Sequence, residues 1–202
     1  MAKEAYPFII PLALFSVFGF GFGIGIFAWL FLVLALFVAF FFRDPERSIP
    51  VEPAAIVSPA DGKVVRIFSE SDGTTRISIF LSVFDVHINR SPIGGKVESI
   101  RYLPGKFKMA FDERASVENE QNVWIIRSER WQIEFSQIAG ILARRIVSWK
   151  RTGERVEKGE RIGLIKFGSR VDVFLPRNVT IDVCLGDKVR GGSSIIGRFN
   201  YA

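Results

Sequence analysis

The sequence predicts a mainly β fold, an antiparallel domain of barrel-sandwich type behind an apolar helical membrane anchor, and three observations predict it. From residue 43 onward, short β-branched and aromatic runs alternate with Gly, Pro, Asn and Asp turns. A turn-flanked segment at 153–163 recurs at 186–196. Residues 5–42 carry no charge in 38 positions and hold 11 of the 20 phenylalanines. Of 202 residues with a formal charge of +6, residues 43–202 hold 26 of the 27 basic and 20 of the 21 acidic side chains. That division excludes a disordered or wholly soluble chain.

As one helix, 38 residues would run about 57 Å at about 1.5 Å per residue, against a hydrocarbon core of about 30 Å. Glycines at 19, 21, 23 and 25 put the weakest helix formers at alternate positions and predict a break there. The expectation is a hairpin with apolar arms at about 7–18 and 26–42, within an anchor of residues 1–42. A hairpin returns both ends to one side, and Lys3, Arg43 and Arg47 place that side in the cytoplasm. The short first arm leaves a re-entrant segment open. A cleaved secretory signal fits less well, because its apolar region runs roughly 7–15 residues.

In residues 43–202, strands are expected at 62–68, 75–83, 95–102, 122–127, 131–138, 161–165, 171–175 and 179–185. One stretch, 141–149, reads as a helix despite its β-branched residues. The repeat aligns residues 153–163 with 186–196 as Gly, acid, base, Val, two variable positions, Gly, two more and Ile. Such turns resemble those of lipoyl- and biotinyl-carrier barrels in shape, without their modified-lysine signature.

One cysteine, Cys184, cannot form an internal disulfide, and one Cys with one His leaves too few soft ligands for structural zinc. Catalysis must therefore draw on carboxylates, hydroxyls, Arg or Lys, His87, or a group made from the chain itself. Around His87, alternation would set Phe84, Val86 and Ile88 on one face and Asp85, His87 and Asn89 on the other. Asp85 could then orient the imidazole, although a lone histidine serves packing as readily as chemistry. Asp61, in Ser58-Pro59-Ala60-Asp61-Gly62, is either an ordinary turn residue or a carboxylate held rigidly toward a His or Ser. A Ser preceded by Gly can attack the carbonyl behind it, because Gly lets the backbone bend and be approached. Two such pairs occur, Gly168-Ser169 and Gly192-Ser193. The second lies in the repeat, where Gly159-Glu160 fills the same turn without a nucleophile. Gly168-Ser169 interrupts a strand-like run from Leu164 to Leu175, which makes Ser169 the better candidate.

Several stretches together resemble phosphatidylserine decarboxylase proenzymes of the short prokaryotic type. They are Phe42-Arg43-Asp44-Pro45-Glu46-Arg47, Ser58-Pro59-Ala60-Asp61-Gly62-Lys63-Val64, Asp85-Val86-His87-Ile88-Asn89-Arg90-Ser91-Pro92 and Tyr102-Leu103-Pro104-Gly105-Lys106-Phe107. Glu118-Asn119-Glu120, Ala143-Arg144-Arg145-Ile146-Val147 and Gly163-Leu164-Ile165-Lys166-Phe167-Gly168-Ser169-Arg170-Val171-Asp172 follow in the family's order. The resemblance implies an enzyme with a covalent pyruvoyl cofactor derived from Ser169 and no metal. Self-cleavage at Gly168-Ser169 would give a β chain, 1–168, and an α chain, 169–202, which stay associated. The ketone would form a Schiff base with phosphatidylserine and release CO2, leaving phosphatidylethanolamine. Asp61 and His87 match the family's Asp and first His. Its long-form second His is Arg90 here, so a complete Asp–His–Ser triad does not carry over.

The resemblance also implies a phospholipid substrate and a site opening toward the membrane, with Arg43, Arg47, Lys106 and Lys108 as candidate lipid-facing cations. Basic residues are interspersed with acidic ones, which argues against nucleic acid as a partner. Self-association into a homo-oligomer stays open, as do archaetidylserine as substrate and a non-catalytic, membrane-tethered adaptor.

Overall fold

A computed structural model of the chain describes residues 1–105, 119–140, 145–166 and 169–200. It divides into two compact units, Met1–Glu46 and Arg47–Ala202.

The first unit is a helical hairpin. A 3-10 turn, Lys3–Ala5, leads into α1 (Tyr6–Gly21), and α2 spans Gly25–Phe41. Gly19 and Gly21 stay helical, so the break narrows to residues 22–24, where Gly23 has φ +71°. Only one or two glycines need a non-helical backbone to reverse the chain. The arms pack through small residues. Ser16 Oγ donates to the Ala28 carbonyl at 2.9 Å, and a Cβ on Gly19 would come within 3.1 Å of Ala28. At the open end the Ala2 N–H donates to the Phe42 carbonyl at 2.9 Å, which brings both termini of the hairpin together. Lys3–Gly21 is long and apolar enough to cross a membrane, whereas Gly25–Phe41 has 17 residues. Large apolar side chains face outward, Val17 at 71% and Ile26 at 83% exposure, a surface suited to lipid.

The second unit is built from β1 (Ala55–Val57), β2 (Gly62–Ser69), β3 (Thr75–Leu81), β4 (Ile88–Arg90), β5 (Gly95–Leu103), β6 (Gln121–Arg127) and β7 (Gln132–Ala139). There follow β8 (Ile146–Ser148), β9 (Arg155–Val156), β10 (Arg161–Ile165), β11 (Ser169–Leu175), β12 (Val179–Ile181), β13 (Lys188–Val189) and β14 (Ile195–Phe199). Among the described residues all pairings are antiparallel. One sheet has the order β13-β2-β3-β11-β7-β6-β5-β9, and two three-stranded sheets run β1-β14-β12 and β4-β10-β8. This is the mainly β, antiparallel class that the turn-punctuated sequence predicts. The apolar core lies on one face of the large sheet, with Trp124 stacked on Phe135 at 5.8 Å and Val64, Ile79, Ile126, Val171 and Val173 around them.

Two expectations need correction. Of the stretch read as a helix, residues 141–144 lie outside the described residues, and Ile146–Ser148 is a strand paired to β10. Its β-branched residues suit a pleated surface, and the open edge of β10 supplies the partner. Arg47, expected as a lipid-facing cation, is instead held by Asp61 with its side chain 10% exposed.

The repeat is a structural one. Gly153 and Gly186 both have φ +96°, and Gly159 and Gly192 have φ +75° and +78°. Its strands, β9 and β13, close opposite edges of the large sheet. Their partners repeat as well, at the same offset along the chain: Ser58-Pro59-Ala60-Asp61-Gly62-Lys63-Val64 matches Ser91-Pro92-Ile93-Gly94-Gly95-Lys96-Val97. Val64 N–H donates to Asp187 O and Gly186 N–H to Val64 O, while Val97 N–H donates to Glu154 O and Gly153 N–H to Val97 O, each at 2.8 Å. The unit thus contains two copies of one strand-and-turn assembly, related by a pseudo-two-fold.

Matched glycines allow a matched test. A Cβ on Gly159 would meet Ile49 at 2.4 Å and one on Gly192 would meet Arg90 at 2.8 Å, whereas Gly153 has open space and Gly186 meets only Lys63 at 3.9 Å. Ala at 153 or 186 should cost about 1 kcal/mol of backbone strain, and Ala at 159 or 192 roughly 2–4 kcal/mol with the added overpacking. Thermal unfolding of the four full-length variants in detergent should rank them in those two pairs.

Candidate active site

Strand β11 begins at Ser169, and alternation sends Ser169, Val171, Val173 and Leu175 to the core face of the large sheet. Arg170 and Asp172 point to the other face and form a buried ion pair, Nε to Oδ1 at 2.9 Å. A one-residue slip would put both charges into the core and turn Ser169 out, so the pair fixes the strand's register. Ser169 lies opposite Leu81 of β3 and Ala139 of β7. Ala139 is held from its other edge by Asn119, whose Nδ2 donates to its carbonyl at 2.8 Å, and by the Glu120 carbonyl, which accepts its N–H at 2.9 Å.

The Ser169 side chain is fully buried, and its Oγ has no hydrogen-bond partner among the described residues. Leaving a buried hydroxyl unsatisfied costs about 1–3 kcal/mol, so such a group in a packed core calls for an explanation. Gly168, whose carbonyl precedes it, lies outside the described residues.

His87 is 2% exposed and follows a tight turn. Asp85 closes that turn: its N–H donates to the Ser82 carbonyl at 3.0 Å, and its Oδ2 accepts from Ser82 N–H at 2.8 Å and Ser82 Oγ at 2.7 Å. The expected alternation therefore fails here. Phe84 is 67% exposed and His87 buried, because the chain becomes extended only from Ile88. Nor does the Asp85 carboxylate orient the imidazole. The Asp85 backbone carbonyl does so, 3.0 Å from Nδ1. A carbonyl only accepts, so Nδ1 carries the hydrogen and Nε2 is the basic nitrogen of the neutral ring.

Backbone pairing brings the His87 and Ser169 segments alongside each other. Leu81 faces Ser169 at one end, and the His87 carbonyl accepts the Ile165 N–H at 3.2 Å at the other. The turn at 82–86 is thus bracketed by these two contacts. Asn89 then ties the His87 segment to the sheet. Gln137 Nε2 donates to Asn89 Oδ1 at 2.8 Å, Trp124 Nε1 donates to Gln137 Oε1 at 2.7 Å, and Asn89 Nδ2 reaches the Pro59 carbonyl at 3.4 Å. Gln137 shares the Ser169 face, two positions before Ala139. Polar side chains interrupting apolar strand patterns at 89 and 137 were the available signal for this network.

Asp61 stands apart from that chain. Arg47 Nη2 donates to its Oδ1 at 2.9 Å and Oδ2 at 2.7 Å, and the Gly191 N–H donates to Oδ1 at 2.8 Å. Its turn nevertheless reaches the His87 segment, because the Pro59 carbonyl accepts the Arg90 N–H at 2.9 Å. Arg90, at the position of the absent second histidine, donates from Nη1 to the Gly159 carbonyl at 2.9 Å and packs its Cδ against Gly192, joining the two repeat turns. Ser193 lies on the rim of a separate cavity with Asp61 and Arg190. Lys106 and Lys108 lie outside the described residues.

Comparison with known proteins gives this arrangement its context. The phosphatidylserine decarboxylase family model matches residues 34–197. A phosphatidylserine decarboxylase proenzyme of Solibacter usitatus (strain Ellin6076) is 53% identical over 165 residues, covering 82% of this chain and 80% of that protein. Proenzymes of the same name from Geotalea uraniireducens (strain Rf4) and Desulfotalea psychrophila (strain LSv54 / DSM 12343) are 44% and 42% identical, each over 98% of this chain and over 95% and 96% of their own lengths. With a family model spanning most of the sequence and relatives aligned nearly end to end, the chain belongs to the phosphatidylserine decarboxylase family.

Proposed function

We propose that the chain is a precursor that cuts itself between Gly168 and Ser169 and then decarboxylates phosphatidylserine to phosphatidylethanolamine. Membership of a decarboxylase family whose relatives are named proenzymes supports a processed lyase. The buried Ser169 hydroxyl, without a partner among the described residues, carries the finer reading, because a group held at a desolvation cost and preceded in sequence by a glycine fits a nucleophile awaiting one reaction.

In the first stage Ser169 Oγ adds to the Gly168 carbonyl carbon, the peptide C–N bond breaks, and the acyl group passes from nitrogen to oxygen as an ester. His87 Nε2 is the base that takes the hydroxyl proton and returns it to the freed nitrogen. Loss of the Ser169 α-proton then expels residue 168 as a carboxylate and leaves dehydroalanine. Water converts this to a keto group and releases ammonia. The products are chains 1–168 and 169–202. They stay together because β11 remains laddered on both edges, to β3 and β7 of the larger chain.

The resulting pyruvoyl group supplies a ketone that takes the substrate amine and accepts the electron pair left as CO2 departs. His87, shielded from water, delivers the proton that replaces the carboxylate. Asp61 works indirectly, since its bonds to Arg47 and Gly191 hold the turn that supports Asn89 and Arg90. The apolar hairpin keeps the protein at its lipid substrate. Its joined ends put Lys3 and Arg43 at the same end, and that shared positive charge supports a cytoplasmic orientation.

Ser169→Ala should abolish both chain splitting on denaturing gels and CO2 release from phosphatidylserine; turnover by an unsplit Ala variant would reject the assignment. Ser193→Ala should split normally, and loss of splitting there would move the cleavage site to the other Gly-Ser pair. His87→Gln should lower decarboxylation by at least about 100-fold, the scale of general acid–base catalysis; turnover within twofold of the parent would remove His87 from the mechanism.

A further inference from the structure

A cavity of about 820 Å³ opens at the β13 edge of the large sheet, lined by Asp61, Lys63, Ser82, Asp85, Lys188 and Arg190 among others. Lys63 and Lys188 are directly opposed across the β2–β13 ladder, so their side chains share one face, and both are exposed. Like charges in directly opposed positions destabilise a sheet unless something neutralises them. Neither lysine, nor Arg190 beside them, forms an ion pair among the described residues. The two carboxylates in the wall are engaged elsewhere, Asp61 by Arg47 and Gly191, and Asp85 by Ser82. Three cations thus converge on a space whose acids are already committed, an arrangement suited to a monoanion brought from outside.

The cavity also adjoins the reacting segment. Its lysines and Phe80 lie on the Arg170 face of the sheet, opposite the Ser169 side chain, and it reaches the site at the strand end, where Ser82 and Asp85 form the turn that delivers His87. The pseudo-two-fold offers a comparison. At the other edge Lys96 opposes Arg155 in the same register, beside a cavity of about 630 Å³. That cavity borders Arg127, Ser128 and Glu129 and no part of the His87 turn. Its Glu129 forms no ion pair among the described residues and stands available to balance the local cations.

We infer that Lys63, Lys188 and Arg190 bind the phosphodiester of the lipid substrate at the strand end and so set the approach of its serine headgroup to the His87 turn. This inference rests on the decarboxylase reading above. Lys63 and Lys188 provide point charges and Arg190 a planar donor fork, which together suit a phosphodiester held at the protein's edge.

The test uses full-length, processed protein and phosphatidylserine diluted in neutral detergent micelles. The Lys63→Gln/Lys188→Gln double variant should split normally, and its KM should rise about tenfold or more with kcat falling far less, the scale of a lost charge-assisted contact. Arg190→Gln, in an exposed turn, should raise KM in the same direction and keeps the test open if the double variant fails to fold. Lys96→Gln/Arg155→Gln should match the parent. Parental KM in the Lys63/Lys188 and Arg190 variants, or an equal shift in the Lys96/Arg155 control, would overturn the inference. If the Lys63/Lys188 variant loses sedimentation with phosphatidylglycerol vesicles but keeps its micellar KM, the cations serve surface docking and the phosphodiester assignment is wrong. Absence of CO2 release by the split parent would instead defeat the decarboxylase reading itself.

Discussion

Ser169 heads a strand laddered on both edges, and its hydroxyl is sealed into the core face without a partner among the described residues. Most of the architecture can be understood from what holds it there. The Arg170–Asp172 pair fixes which residues of β11 face inward. Asn119 and Glu120 hold Ala139, the residue across from the serine. The Asn89–Gln137–Trp124 chain fastens the histidine segment to the same sheet. Each arrangement is local, and each limits the freedom of a group that would otherwise relax toward a hydrogen bond.

The pseudo-two-fold explains how so small a unit supports this rigidity. Two copies of a Ser-Pro turn, a Gly-Lys-Val strand start and a glycine-cornered hairpin close both edges of the sheet with matching hydrogen bonds. At three positions where the copies differ, a polar residue near the candidate site replaces glycine or an apolar residue. Asp61 stands where the other copy has Gly94, and Asn89 and Arg90 stand where it has Ile56 and Val57. Symmetry thus supplies the frame, and departures from it supply polar groups.

Elements governed by local periodicity and turn chemistry were legible in the sequence. Strand 161–165 has the bounds expected, and those at 62–68, 95–102 and 122–127 differ by a single position at one end. The helical reversal appears at the glycine run, narrowed because Gly19 serves helix packing and not the turn. Short edge strands such as β9 and β13 were not legible, since so brief a run carries no period and exists through its partner in β5 or β2. The part of 141–149 that is described went to a strand for the same reason, its state being decided by β10. At the site, Ser169 and His87 could be picked out as residue types, whereas the Asp85 contact could not. Whether Asp85 presents its carboxylate or its carbonyl to the imidazole depends on the turn closed by Ser82, which alternation does not anticipate. The Arg47–Asp61 bond, which joins two separate loops, likewise gave no sign in composition or spacing.

Whether the protein generates its own electrophile at Ser169 can be read by mass spectrometry of active protein under denaturing conditions. Self-cleavage gives two chains, the smaller comprising positions 169–202 with a keto group in place of its amino terminus, trapped by borohydride as a secondary amine in the presence of substrate. A fully active preparation containing one intact chain, or a 169–202 fragment with an ordinary serine amine at its head, would contradict it.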